Sequence, residues 1–173
     1  MRQQALRPID IVVALRLALV PNERYESLGR VLGISLSTAH EAVRRLTQAG
    51  LLRPGSREAN AGALLEFLSH GLRYAFFAEL GPEARGVPTA HSAPPLDQEI
   101  VSDDTYVWPA ARGPIRGTTL LPLYKGATHL VDGAPRLYRA LALADAVRVG
   151  RARERKLAIE HLEQLLGSPD PPA

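Results

Sequence analysis

The chain has 173 residues, 46% of them hydrophobic and 23% charged, with a formal net charge of +3 and no cysteine. That is enough apolar material for one compact domain or two small ones. It excludes a wholly disordered chain, disulfide frameworks, cysteine nucleophiles and thiolate zinc sites.

The N-terminal Met-Arg-Gln-Gln-Ala lacks the layout of a signal peptide. The longest apolar run, Ile11 to Val20, is interrupted by Arg16 and reaches about half of the ~20 residues that span a bilayer. These features lead us to expect a cytoplasmic protein that does not engage the membrane. Pro8 suits the first turn of a helix, and Ile9, Val13, Leu17 and Val20 recur at helical spacing before Pro21 ends the run. Val12, Leu15 and Leu19 make a second stripe, so this helix needs cover on two sides, and another subunit is one candidate for the second.

The spacing then predicts a short helix over 25–32 and a longer one over 36–49, closed by Gly50. Leu28 and Leu32 form the inward pair of the short helix, Gly33 the turn, and Ile34 the corner plug, while Ser35 or Ser37 can cap the longer helix. On the longer helix Ala39, Ala42 or Val43, Leu46 and Ala49 make the buried stripe. The opposite stripe is Ser37, His40, Glu41, Arg44 and Gln48, all able to hydrogen-bond and none needed for a core. A polar helix face of this kind fits the major groove of DNA, whose base edges present donors and acceptors. Arg44 is the candidate for a guanine edge or a phosphate, and Ser37, His40, Glu41 and Gln48 are candidate base readers. Arg45 is assigned to phosphate. A solvated helix face explains any one of these residues alone; turn, caps and two stripes together favour a helix-turn-helix.

The stretch Leu28-Gly-Arg-Val-Leu-Gly-Ile-Ser35, with Ser37-Thr38, Arg45-Leu46 and Ala49-Gly-Leu-Leu-Arg53, resembles the winged helix-turn-helix domains of bacterial transcription regulators of the MarR, GntR and IclR kinds. With the leading helix the resemblance covers residues 8–57. It implies sequence-specific binding of double-stranded DNA by a homodimer, with Ser35, Ser37, Thr38, His40, Glu41 and Arg44 at DNA-facing positions and Arg53 and Arg57 near the wing. The chain departs from the pattern at Gly29, where alanine is usual, and at Ala39, where valine or isoleucine is usual. Arg53-Pro-Gly-Ser-Arg57 also leads straight into an expected helix, so the wing is expected to be truncated or rebuilt from later residues.

Asn60 caps an expected helix over 61–78, weakened or kinked at Gly71. Seven of the fourteen prolines fall between Pro82 and Pro122, so that stretch is read as loop and short strand. Within it Thr105-Tyr-Val-Trp108 and Thr118-Thr-Leu-Leu121 are strand-like, with glycines between them, and suggest a loose hairpin. Helices are expected over 134–148 and 151–166, hinged at Gly150, followed by a frayed tail from Ser168. The fold expectation is thus mainly α with a small β component. It comprises a DNA-binding head with its following helix (1–79), a Pro/Gly-rich loop and strand region (80–133) and C-terminal helices for dimerisation or interaction, or for contact with the two-sided first helix (134–173).

Divided along the chain, the charge is +4 in residues 1–60, −2 in 61–130 and +1 in the remainder. Nineteen of the cations are arginine, which forks to phosphate and guanine, though genome base composition produces the same excess. A second basic cluster, Arg148, Arg151, Arg153, Arg155 and Lys156, would clamp phosphate, bind an acidic partner or simply solvate a helix. Five scattered histidines show no metal-ligand spacing, and no glycine-rich phosphate loop occurs, so no metal, no cofactor and no enzyme activity are expected. Asp103-Asp104 reads as a surface turn, and Tyr106 and Trp108 as packing rather than ligand stacking. The alternative to a transcription regulator is a protein-interaction module, such as an antitoxin or a regulator partnered with an enzyme, with DNA binding auxiliary or autoregulatory.

Overall fold

The computed structural model describes residues 4–169. The protein is mainly helical, with one small sheet. Its helices are α1 (Pro8–Leu19), α2 (Tyr25–Leu32), α3 (Leu36–Gln48), α4 (Ala61–His70), α5 (Leu72–Ala75), α6 (Leu130–Gly133), α7 (Pro135–Val149) and α8 (Ala152–Leu166). The strands are β1 (Leu80–Pro88), β2 (Tyr106–Pro109) and β3 (Ile115–Leu120). The frayed tail expected from Ser168 lies, beyond residue 169, outside the described residues.

α1 starts at Pro8, where a missing N–H costs nothing, and Asp10 in its first turn accepts the Arg7 backbone N–H at 2.8 Å. Its two apolar stripes are both covered within the chain, by α3 on one side and by α7 and α8 on the other. No second subunit is needed for that cover. α7 runs through the centre of the molecule: Leu137, Tyr138 and every residue from Ala140 to Arg148 are buried. The C-terminal helices, expected to serve dimerisation or to contact the first helix, pack on α1, supply much of the core through α7 and leave the outer face of α8 to solvent.

The helix expected over 61–78 breaks at Gly71, giving α4 and α5. Phe67 lies so close that a Cβ at Gly71 would sit 2.9 Å from its ring. The expected hairpin is corrected more substantially. Both segments are strands, but β2 and β3 pair parallel, through Tyr106↔Thr118 and Val107↔Thr119. Each is antiparallel to β1, a strand that Gly81, Pro82, Gly86 and Pro88 concealed from any alternation pattern. The three close on one another because glycines line the closure: a Cβ on Gly86 would fall 2.2 Å from the Trp108 carbonyl oxygen, and one on Gly117 would fall 2.5 Å from that of Thr105.

Sheet and helices are joined by a buried polar clip. Asp145 of α7 accepts hydrogen bonds from Thr89 Oγ1 (2.8 Å), Trp108 Nε1 (2.6 Å) and Arg148 Nη1 (2.7 Å). Arg148 also donates to the carbonyls of Phe76, Phe77 and Leu121, just beyond the ends of α5 and β3. Burial raises the Asp145 carboxyl above the ordinary carboxylate range, while Arg148 and the other donors pull it back. Arg148 is thus part of the interior rather than of a basic surface cluster, and Arg155 is tied to the Gly150 carbonyl. Trp108 is core. Among the described residues no helix is long and apolar enough to cross a membrane, and no group of His, Asp or Glu is arranged to hold a metal.

Candidate nucleic-acid interface

α2 and α3 meet through a short turn. Gly33 takes a left-handed conformation (φ 65°), which side chains resist. Ser35 caps α3 by accepting the Thr38 N–H at 3.1 Å, and its hydroxyl also pairs with Thr38 Oγ1 at 2.9 Å. Gly29 lies directly beneath the turn, where a Cβ would stand 2.9 Å from the Ile34 carbonyl oxygen. An alanine at this position would force the turn to shift. Ala39, Ala42, Val43 and Leu46 bury the inner side of α3 against α1 and α2.

The outer side carries Ser37, His40, Glu41, Arg44 and Gln48, all exposed. Their spacing brings them together on one face, and Ser37, Arg44 and Gln48 have no side-chain hydrogen bond or ion pair among the described residues. His40 is held in place by stacking on Tyr25, ring centroids 3.6 Å apart.

Arg45 does not join this face. Its guanidinium turns inward to Asp10, with Nε to Oδ2 at 2.8 Å and Nη2 to Oδ1 at 2.7 Å, and its side chain is only 6% exposed. The fork on Asp10 raises the Arg45 pKa further above its ordinary value, and Nη1 makes a third contact, to Glu41 at 3.2 Å. The expected phosphate contact at Arg45 is corrected by this geometry: a guanidinium committed to a buried carboxylate is not presented to a phosphate. Its effect is to fasten α3 to the start of α1. On the other flank Arg16 forks to Glu23 at 2.6 and 2.7 Å, and Ser27 donates to the same carboxylate at 2.7 Å, tying α1 to α2.

After α3 the chain forms a minimal hairpin. Leu52 and Ala59 make one antiparallel bridge, flanked by Arg53 N–H to the Glu58 carbonyl and Asn60 N–H to the Leu51 carbonyl, both 2.9 Å. Gly55 turns the tip with φ 75°. Among the described residues this hairpin holds one bridge, and no later residues pair with it in strand fashion. Arg53, whose side chain is 63% exposed, leans toward Glu58 at 3.6 Å on the outside. Arg57 is turned back instead: it donates to the carbonyls of Glu23 and Asn22 and covers the Tyr25 ring at 4.9 Å. His40, Tyr25 and Arg57 therefore form a chain of contacts linking α3, α2 and the hairpin.

Sequence reasoning missed Asp10 and Glu23 as the inner anchors. The available signal was a charged residue within an apolar run: Asp10 and Arg16 interrupt the stripes of α1, and a buried charge demands a partner. Comparison with family models, with curated proteins and with solved structures returns no match.

Proposed function

We propose that this chain is a sequence-specific DNA-binding transcription regulator, acting as a homodimer and reading the major groove with α3. The observation that carries the reading is the pairing of an uncommitted polar face with a rigid mounting. Ser37, His40, Arg44 and Gln48 are exposed on a helix whose opposite side is packed and bolted by the Asp10–Arg45 fork. A recognition helix needs that combination, because base readout discriminates only when donors and acceptors are held in register. Arg44 takes the guanine edge or a phosphate, His40, Ser37, Glu41 and Gln48 read neighbouring edges, and Arg53 on the hairpin meets the backbone. Ser35 and Thr38 position the helix start. Two such helices in a dimer would read half-sites about one helical turn apart.

The test is sequencing of fragments retained by the full chain from random duplex DNA at physiological salt. A defined motif is expected. Arg44→Ala should then weaken binding to that motif by roughly 1–3 kcal/mol while leaving binding to random DNA nearly unchanged. Failure to enrich any motif, or equal loss on both DNAs, would sink the base-reading assignment.

One observation favours the second reading, a protein-interaction module. Tyr74, Phe77, Leu80 and Leu121 are all more than half exposed near the junction of α5 with the sheet. Contiguous exposed apolar side chains mark association surfaces. A stoichiometric heterologous protein retained through purification would favour this reading, and a clean homodimer the first.

A further inference from the structure

A cleft of about 670 Å³ opens beside the α2–α3 turn. One wall is the turn itself, from Arg30 to Ile34 with Thr38, and the other is the segment from Tyr124 to Gly126 with His129. Ile9, Val31 and Ile34 give it an apolar lining. Its rim carries Arg30, Lys125 and His129, all exposed, and none of the three side chains has an ion pair or hydrogen bond among the described residues. Among the described residues no acidic side chain lines the cleft. Arg30 and Lys125 thus set unpaired positive charge at the mouth of an apolar cleft, a field that attracts anions.

A second observation comes from the same wall. The Tyr124 hydroxyl is one of two buried side-chain polar atoms without a hydrogen-bond partner among the described residues. Its ring packs against Gly126 so closely that a Cβ there would stand 2.6 Å from it, so the glycine keeps the backbone low at this point. Burial pushes the Tyr124 pKa from 10.0 up to about 12.

We propose that this cleft binds a small organic phosphate, a phosphomonoester whose apolar body lies on Ile9, Val31 and Ile34 and whose dianionic head is held by Arg30, Lys125 and His129. Two permanent cations and an imidazole match a dianion better than a single negative charge, and the guanidinium fork suits phosphate oxygens. Its apolar lining distinguishes the cleft from a surface that merely tracks a nucleic-acid backbone. Because one wall is the turn that aims α3, an occupant spanning to residues 124–129 would brace that turn against the body of the molecule. The proposal does not depend on DNA reading, since occupancy is measured on the protein alone.

The experiment uses 1-naphthyl phosphate as the probe, with 1-naphthol and 1-naphthoate as comparators, titrated into the full chain and followed by amide NMR and calorimetry. The phosphate is expected to shift the Gly33 and Gly126 amides saturably. The neutral naphthol and the singly charged naphthoate should each bind at least about tenfold more weakly. The double variant Arg30→Ala/Lys125→Ala should also lose at least about tenfold in affinity while melting like the parent, because both side chains are exposed. Shifts confined to other regions, naphthol binding as tightly as the phosphate, or an unaffected double variant would each overturn the site. Naphthoate binding as tightly would overturn the dianion assignment.

Discussion

Asp10 and Arg45 stand 35 positions apart and meet in the interior at 2.7 Å, so neither is spare. Removing one member of a buried pair leaves the other charged and unsolvated. Asp10→Asn is therefore expected to cost roughly 3–5 kcal/mol in urea denaturation, and a loss within about 0.5 kcal/mol would show the fork to be unimportant. Tyr138 offers a pH test. Its hydroxyl donates to the Pro88 carbonyl at 2.7 Å, and burial raises its pKa from 10.0 to about 12. The folded pKa exceeds the unfolded one, so the contribution is complete below the unfolded value and drains away as pH climbs toward the folded one. Denaturation midpoints taken from about pH 9 to about pH 12 should fall more steeply in the parent than in Tyr138→Phe, which has no proton to lose. Parallel slopes would remove Tyr138 as the cause.

The α2–α3 pair shows how two glycines in one element serve different physical ends. At Gly33 the surroundings are open and the constraint is the backbone, φ 65°. At Gly29 the backbone is ordinary helix and the constraint is the Ile34 carbonyl. Gly33→Ala should cost about 1 kcal/mol, and Gly33→Asn, which tolerates the left-handed region, should recover most of that. Gly29→Ala should cost about 1–3 kcal/mol as overpacking, and Gly29→Asn should cost no less. If asparagine is as well tolerated at Gly29 as at Gly33, the close approach is not the constraint there. The sheet teaches a related lesson. β2 and β3 were visible as strand-like runs, yet their parallel pairing came from β1, whose glycines and prolines hide it from an alternation rule.

For the molecule as a whole, the fragment 1–79 would appear self-contained from motif and charge, but α1 is sandwiched between α3 and the helices α7 and α8. Cut after residue 79, it would expose one apolar stripe of α1 and leave the Phe76 and Phe77 carbonyls without Arg148. We expect the fragment to lack a cooperative thermal transition in far-UV circular dichroism; a sharp transition would establish an independent head. The helices α1, α2, α3, α7 and α8 were legible to within a residue or two of their ends, because apolar periodicity, proline starts and glycine stops are local and act within one or two turns. So was the polar stripe of α3, since residues three and four apart share a face whatever surrounds them. That Arg45 turns inward, away from any phosphate, was not legible. Arg44 and Arg45 are neighbours of one type, and only the arrival of Asp10 from a distant part of the chain separates the exposed cation from the buried one. The same holds for Arg148, for Arg57 and for the cleft at Lys125: a side chain's partner is set by which elements pack together, and that depends on long-range burial that no local spacing encodes.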